Sequence, residues 1–114
     1  FTEAGGYQAM QTMLPARPDA VFAASDMIAI GGMRAVREAG LKVPEDVAFV
    51  GFDDLPMTTM LESQLTTVRQ PVYQFGIRAV ELLIDLINNG ILPPRRVLLE
   101  TELVIRETCG VSRR

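Results

Sequence analysis

Two short apolar runs separated by one helical segment most constrain what this chain can fold into. Residues 20–24 read AVFAA and residues 47–52 read VAFVGF, so neither run contains a charged side chain. Such uniform runs are typical of parallel strands that are covered on both faces. Residues 27–39 place small and apolar side chains on one face of a helix, which suits packing on a sheet. This order predicts a βαβ unit with a right-handed crossover and a parallel sheet.

Polar residues follow both predicted strands. Ser25 and Asp26 come directly after the first strand, and Asp53 and Asp54 come directly after the second. Because parallel strands end at the same edge of their sheet, we expect these side chains to lie near one another. Open α/β sheets bind ligands at that edge, so the sequence predicts a site there.

Several kinds of site fit the consecutive carboxylates poorly. The side chains of adjacent residues diverge, whereas a glycosidase needs two carboxyl groups that face each other, usually from separate elements. A magnesium site would use a further anchor such as phosphate, and no phosphate-binding glycine loop is present. Lys42 precedes the second strand, which disfavours a receiver-type phosphoacceptor site. The expected roles of Asp53 and Asp54 are therefore a polar turn or a ligand contact, with catalysis as the less favoured third. Ser25 with Asp26 caps the helix or reaches a ligand.

Composition narrows the function classes further. The chain has 114 residues, the size of one domain, and its hydrophobic share of 48% is sufficient for a core. It has no histidine, which removes the commonest catalytic base and metal ligand, and no metal or cofactor is predicted. A net charge of −3 and a pI near 4.9 argue against a nucleic-acid surface. No apolar run reaches the length of a membrane span, and the single Cys109 excludes an internal disulfide.

Further elements are predicted on both sides of the βαβ unit. Residues 2–14 are predicted as a helix and residues 65–70 as an extended segment. Gly40 is expected to end the central helix in a left-handed conformation. The strongest helical stripe of the chain covers residues 72–87, and residues 97–105 have the mixed pattern of an edge strand.

An ordered set of motifs resembles the lactose-repressor/galactose-repressor (LacI/GalR) family of bacterial transcription regulators. The motifs are FAASDMIAIG, AGLKVPEDV, VGFDD, LTTVRQP and ELVIRET, in this order along the chain. A single glycine–aspartate turn would be weak evidence for a family, but the resemblance covers essentially all 114 residues. It implies an α/β fold like that of the periplasmic sugar-binding proteins. In that fold two lobes flank a ligand cleft, and the chain crosses between them three times.

The resemblance matches this chain to the last part of such an effector-binding domain. Residues 1–69 are then expected to form the C-terminal lobe. Residues 70–90 are expected to form a helix that packs on the N-terminal lobe in the family, and residues 95–107 a returning strand. The DNA-binding domain is expected to be absent from this chain.

The resemblance also implies roles for particular residues. Asp53 matches a position that accepts hydrogen bonds from ligand hydroxyls or ring nitrogens, and Asp54 is expected to support the crossing or a turn. Phe1 matches an aromatic position that stacks on the ligand, Ser25 lines the cleft, and Gln70 lies at the third crossing. The residues that match a homodimer interface are Ile30, Met33, Arg34, Met57 and Leu61.

The function implied by the resemblance is ligand sensing, without catalysis, in a cytoplasmic transcription regulator. The effector is expected to be a sugar or a nucleobase-like small molecule. The assembly is expected to be a homodimer that contacts DNA only through a separate domain. A periplasmic-type sugar receptor without DNA-binding function is one alternative, because it has the same fold and a similar cleft. A small α/β enzyme is the other, and it would need a nucleophile with a base, which the sequence does not clearly supply.

Overall fold

The computed structural model describes residues 1–90 and 93–111 and divides the chain into two compact units. The first unit comprises Phe1–Arg69 together with the segment that begins at Glu102, and the second comprises Gln70–Thr101. All strands of the described sheet lie in the first unit, which therefore sets the geometry of the candidate site.

The first unit is built from two helices and a four-stranded sheet. Its elements are α1 (Glu3–Met13), β1 (Ala20–Phe22), α2 (Asp26–Glu38), β2 (Ala48–Asp53), β3 (Thr66–Arg69) and β4 (Glu102–Val104). Single 3-10 turns occur at Leu14–Ala16 and Pro56–Thr59. The strand order is β1-β2-β3-β4, with β1, β2 and β3 parallel and β4 antiparallel to β3. The predicted α/β fold with a βαβ unit and a mostly parallel sheet is confirmed.

Local hydrogen bonds explain where α2 begins and ends. The Ser25 Oγ accepts a hydrogen bond from the third amide of the helix at 3.3 Å, which satisfies a donor that the helix itself leaves unpaired. Gly40 has a φ of 82°, and its amide donates to the Arg37 carbonyl oxygen at 2.9 Å. The Leu41 amide donates to the Val36 carbonyl oxygen at 3.1 Å. These paired bonds form a Schellman motif, so the predicted left-handed cap at Gly40 is confirmed.

The core of the first unit lies between α2 and the sheet and continues under α1. Its largest buried side chains include Phe49, Met10, Met33 and Leu65. The two helices touch backbone to backbone, because a Cβ built on Gly31 would lie 1.9 Å from the Glu3 carbonyl oxygen. A Cβ on Gly6 would lie 2.2 Å from the Ile28 carbonyl oxygen. α2 is therefore enclosed by α1 as well as by the sheet, and its buried surface is wider than one stripe.

The prediction that the first strand is covered on both faces is wrong. β1 is the first strand in the sheet order, and the Phe22 side chain is 69% exposed. Val21 packs against the core and pairs in register with Phe49, whose ring faces α2. Because successive side chains of a strand point to opposite faces, Phe22 lies on the face away from α2.

The returning strand is shorter than predicted. Residues 97–105, within the predicted segment 95–107, contain only β4 at Glu102–Val104, and residues 93–101 form no regular element. β4 pairs with β3 from Thr67 to Arg69, and β3 has only four residues. β3 is too short to offer backbone hydrogen bonds to more residues, so the segment before Glu102 has no strand to pair with. The predicted edge position is confirmed, because β4 is last in the strand order.

The second unit consists of α3 (Val72–Asn89) and the segment that follows it. The helix predicted from the stripe over residues 72–87 is confirmed, but α3 has no fully buried side chain. Its polar side carries the ion pairs Arg78–Glu81 at 2.8 Å and Asp85–Arg95 at 2.9 Å. The exposed apolar side chains of α3 include Val72, Phe75, Val80, Leu83, Leu86 and Ile87. An apolar face of this extent marks a surface for a partner.

We expect the 114-residue chain to self-associate through this face of α3 at concentrations on the order of tens of micromolar. Leu83→Arg places a charge in the middle of the face and should shift the chain towards a monomer. Gln74→Arg adds the same charge on the opposite side of α3 and should leave the association unchanged. Sedimentation velocity measures both, and a strictly monomeric unsubstituted chain would contradict the expectation.

Candidate ligand-binding edge of the sheet

The parallel strands bring Ser25 and Asp53 to the same edge of the sheet. Asp53 is the last residue of β2. The pairing of β1 with β2 extends past β1, because the Ala23 amide donates to the Val50 carbonyl oxygen at 2.8 Å, and Ser25 follows shortly after. Gln70 follows β3 directly in the sequence and is the first residue of the second unit. The edge predicted from the strand order is therefore the one at which Ser25 and Asp53 lie.

Ser25 is buried and caps α2, as one of the two interpretations of the sequence predicted. Its oxygen accepts the capping bond, and a hydroxyl group also has a hydrogen to donate, so the cap is compatible with ligand contact. Phe1 precedes α1, and its side chain is 85% exposed. Contact of Phe1, Ser25, Gln70 or Asp53 with a ligand stays a prediction.

Asp26 links α2 to both neighbouring parts of this edge. It is the first residue of α2, and its side chain is 0% exposed. Its Oδ2 accepts a hydrogen bond from the Leu55 amide at 2.7 Å, and its Oδ1 accepts one from the Thr67 hydroxyl at 2.6 Å. One buried carboxylate thus ties the start of a helix to β3 and to the loop after β2. The sequence pattern showed only a polar residue at a helix start, so this role was missed.

The backbone after β2 is held in an uncommon conformation. Asp53 has a φ of 121° and Asp54 a φ of 63°, and both values lie in the region that favours glycine. A non-glycine residue in such a region costs on the order of 1–3 kcal/mol, and such residues cluster at functional sites. Aspartate is among the side chains that tolerate positive φ best. Two consecutive residues with positive φ persist only where contacts with the surrounding structure hold them in place.

Asp54 is held by two arginines. The Arg69 Nε donates to its Oδ2 at 2.7 Å, and the Arg106 Nη2 pairs with its Oδ1 at 2.8 Å. The side chains of Asp54 and Arg106 are 11% and 13% exposed. Burial raises the pKa of Asp54, but the hydrogen bonds from Arg69 and Arg106 outweigh it, so the pKa lies below its ordinary value. Asp54 is therefore a charged structural anchor beside Asp53.

Arg106 and Thr108, which follow β4, make long-range contacts, and their membership of the ELVIRET motif did not predict these contacts. The Arg106 Nη1 donates to the buried Thr58 Oγ1 at 2.9 Å. The Thr108 hydroxyl donates to the Phe49 carbonyl oxygen at 2.8 Å and accepts from the Thr66 amide at 2.9 Å. The hydrogen-bond partners of Arg106 and Thr108 lie 40 to 59 residues away in the sequence. No local motif or periodicity carries contacts of that range.

The prediction that Met33 lies at the dimer interface is wrong. Its side chain is 1% exposed and belongs to the core, because α2 is enclosed by α1 as well as by the sheet. Ile30 and Leu61 are half-buried, and Arg34 and Met57 are exposed. These four side chains stay available to a partner.

Arg34 is held on the surface that α1 and α2 form together. It pairs with Glu3 at 2.9 Å and with Glu38 at 3.2 Å, and its guanidinium lies 3.9 Å from the centre of the Tyr7 ring. The Tyr7 hydroxyl donates to Glu38 at 2.7 Å, and this bond raises the pKa of Tyr7. The network keeps Arg34 in a defined position next to the predicted interface residues.

Comparison with known proteins identifies the family. Residues 1–109 match the family described as periplasmic binding protein-like domain. The chain belongs to this family. The relatives of this periplasmic binding protein-like domain include LacI-family transcriptional regulators, so the resemblance inferred from the motifs is confirmed.

The relatives of this periplasmic binding protein-like domain include regulators with bound sugars. It is 42% identical over 110 residues to the HTH-type transcriptional regulator CelR of Thermobifida fusca, covering 95% of this chain and 32% of that protein. The solved complex of CelR with cellobiose has a TM-score of 0.89 and 41% identity, over 95% of this chain and 34% of that one. A LacI family transcriptional regulator from Enterococcus faecium with bound ribose has a TM-score of 0.84 and 31% identity, over 95% and 40%.

These comparisons bear on the alternatives for this periplasmic binding protein-like domain. The chain spans about a third of the length of the curated relatives it matches. Those relatives are transcriptional regulators and not enzymes, and the transport-receptor alternative is not favoured. Within residues 1–90 and 93–111, no helix is both long and apolar enough to cross a membrane.

Proposed function

We propose that this periplasmic binding protein-like domain belongs to the effector-sensing domain of a LacI-family transcription regulator, with Asp53 as a ligand contact. The observation that carries the proposal is the position of Asp53 at the ligand-binding edge. Asp53 ends β2 there and is half-buried, and its neighbour Asp54 is held in place by Arg69 and Arg106. A buried anchor next to a carboxylate at a strand end is what a preorganised acceptor requires.

The chemistry of Asp53 suits a sugar. A carboxylate accepts hydrogen bonds from hydroxyl groups, and a charge-assisted bond is worth about 1.5–3 kcal/mol in a partly dry site. The Ser25 hydroxyl supplies a small donor at the same edge. Phe1 supplies an aromatic face for the apolar side of the ring, and Gln70 supplies an amide. The sugars bound by the two related regulators, cellobiose and ribose, support this ligand class.

In the proposed regulator, the second lobe of the cleft and the DNA-binding domain lie outside this chain. Residues 1–69 form one lobe of the cleft, residues 70–90 pack on the other lobe, and the segment 95–107 returns to the first. The exposed apolar face of α3 supports such packing, because it needs a partner. DNA is bound by a separate domain, in the cytoplasm, and this domain carries out no catalysis. Two copies pair through the surface that contains Ile30, Arg34, Met57 and Leu61.

The proposed mechanism is a population shift. A sugar between the lobes changes the population of their relative arrangements only if it binds one arrangement more tightly than the other. The two lobes then change the geometry of the dimer, and the DNA-binding domains respond to that change. Coupling between effector and DNA is reciprocal, so operator DNA changes the affinity for the effector by the same factor.

Asp53→Ala in the full-length regulator is expected to weaken effector binding by about 10- to 100-fold. The substitution removes a charged acceptor, and about 1.4 kcal/mol corresponds to a factor of ten. Asp53→Asn should weaken binding less, because asparagine tolerates the positive φ and still accepts one hydrogen bond. Isothermal titration calorimetry measures both affinities after a thermal-shift screen of sugars and purines has identified the effector.

Asp19→Ala is the matched control for this experiment. It removes the same charge from an exposed position before β1, at the opposite end of the strands. Effector affinity should stay unchanged in this variant. An unchanged affinity in Asp53→Ala would remove Asp53 from the ligand site. Turnover of a glycoside by the unsubstituted protein, abolished in Asp53→Asn, would instead reveal an enzyme.

A further inference from the structure

We propose that Asp26 is a positioning residue for effector binding, which fixes the loop that follows Asp53. The inference rests on the proposed function of Asp53 as an effector contact. Asp26 itself is fully buried. It acts through the Leu55 amide, two residues beyond Asp53, and through the Thr67 hydroxyl on β3.

The contacts of Asp26 use both carboxylate oxygens on two different parts of the fold. Oδ2 accepts from the Leu55 amide at 2.7 Å, and Oδ1 accepts from the Thr67 hydroxyl at 2.6 Å. Both distances are short, as expected for hydrogen bonds to a charged acceptor. Thr67 is itself fully buried in the sheet, so the carboxylate is fixed from the β3 side and in turn fixes the loop.

The loop needs such an anchor because its backbone is strained. Asp53 and Asp54 have φ values of 121° and 63°. On the β2 side, Asp53 pairs in register with Arg69. On the other side, the bond from the Leu55 amide to Asp26 holds the first residue after the strained pair. Without that bond, Asp53 can relax towards negative φ, and its carboxylate then leaves the direction in which a ligand would meet it.

The glycine at position 51 leaves the space that the Asp26 carboxylate occupies beside β2. A Cβ on Gly51 would lie 2.4 Å from the Asp26 Oδ1 and 2.9 Å from the Leu65 side chain. Gly51 lies in the middle of β2, where a glycine ordinarily weakens a strand. Its absence of a side chain lets the carboxylate approach β2 closely. Glycine in this strand is therefore explained by the position of Asp26.

A purely structural role for Asp26 makes a different prediction. A carboxylate in the first turn of α2 also stabilises the positive end of the helix. Loss of that effect alone would lower the stability of the protein without changing the affinity of the folded fraction for its effector. The positioning role instead requires the effect of Asp26 on affinity to pass through Asp53.

The experiment compares Asp26→Ala, Asp53→Ala and the double variant in the full-length protein, below the melting temperature of each. The probe is the sugar among cellobiose, ribose, sucrose and lactose that most stabilises the unsubstituted protein in a thermal-shift screen. Alanine removes both acceptor oxygens and leaves the Leu55 amide without its partner, so Asp26→Ala should weaken binding about 10-fold. In the double variant, the loss should equal that of Asp53→Ala alone, because the two residues act in series. Thr67→Val, which leaves the bond to Leu55, should change affinity less than about 3-fold.

A second measurement does not depend on any sugar. Amide hydrogen exchange of Leu55 should be at least about 10-fold faster in Asp26→Ala, while the core amide of Phe49 keeps its protection. Unchanged protection of Leu55, or losses that add fully in the double variant, would overturn the positioning role. Unchanged affinity in Asp53→Ala, or no binding of any of the four sugars, would count against the proposed function instead. The exchange measurement then still decides whether Asp26 fixes the loop.

Discussion

Asp54→Asn is expected to lower the free energy of unfolding of this chain by about 3 kcal/mol. The substitution keeps the shape of the side chain and its tolerance of a positive φ, but removes the charge that pairs with Arg69 and Arg106. The larger part of the loss comes from Arg106, which is 13% exposed and would keep a buried charge without its counter-ion. Arg69 is half-exposed, so water screens its share. Urea unfolding followed by circular dichroism measures the difference.

Asp19→Asn is the control for this prediction, because Asp19 is an exposed aspartate in the same unit. It should change the free energy of unfolding by less than about 0.5 kcal/mol. If Asp54→Asn cost no more than about 1 kcal/mol, the ion pairs of Asp54 would be worth only what exposed pairs are worth. The assignment of Asp54 as the anchor of the loop would then fail.

The stability that the charge of Asp54 contributes depends on pH in a direction that its pKa determines. Burial raises the pKa of Asp54 and the bonds from Arg69 and Arg106 lower it further than burial raises it, so the folded pKa is depressed. Such a carboxylate contributes stability that is present above its unfolded pKa, about 3.9, and is lost as the pH falls through the folded pKa. The stability difference between the unsubstituted chain and Asp54→Asn should therefore shrink below about pH 4. A difference that grows in acid would contradict this sign.

The fold was predictable where it depends on neighbours in the sequence. The helix predicted at residues 27–39 is α2 at Asp26–Glu38, and the strand predicted at 47–52 is β2 at Ala48–Asp53. Helix caps and apolar runs act over a few residues, so a sequence pattern contains them. The burial of Met33 was not predictable in this way, because it depends on α1 packing over α2.

The sequence predicted where in the fold the candidate site lies, but not the contacts that support it. Parallel strands put Ser25 and Asp53 at one edge whatever the details of packing, and the structure has them there. The supports of that edge depend on strand register and on long-range contacts. Asp26 bonds to Thr67 from 41 residues away, and the partners of Arg106 are as distant. An aspartate at a helix start and an arginine near the end of the chain carry no local sign of these contacts.

Gly31→Ala is expected to destabilise the first unit by about 3 kcal/mol or more. On helix propensity alone, alanine in place of glycine inside α2 would add up to about 1 kcal/mol of stability. The added Cβ would instead lie 1.9 Å from the Glu3 carbonyl oxygen and 2.8 Å from the Tyr7 amide nitrogen. Both are backbone atoms, so no side-chain rotation relieves the contact, and α1 must move away from α2. Urea unfolding measures the loss.

Gly76→Ala is the matched control, because it makes the same change inside α3, where nothing lies within 4 Å of the added Cβ. It should increase the helicity of α3, in line with the propensity gain of up to about 1 kcal/mol. The opposite signs of two identical substitutions would measure the helix contact directly. If Gly31→Ala also stabilised the chain, the backbones of α1 and α2 would have to lie farther apart than described. The loss in Gly31→Ala should extend to Arg34, whose bond to Glu3 depends on the same close approach of the helices.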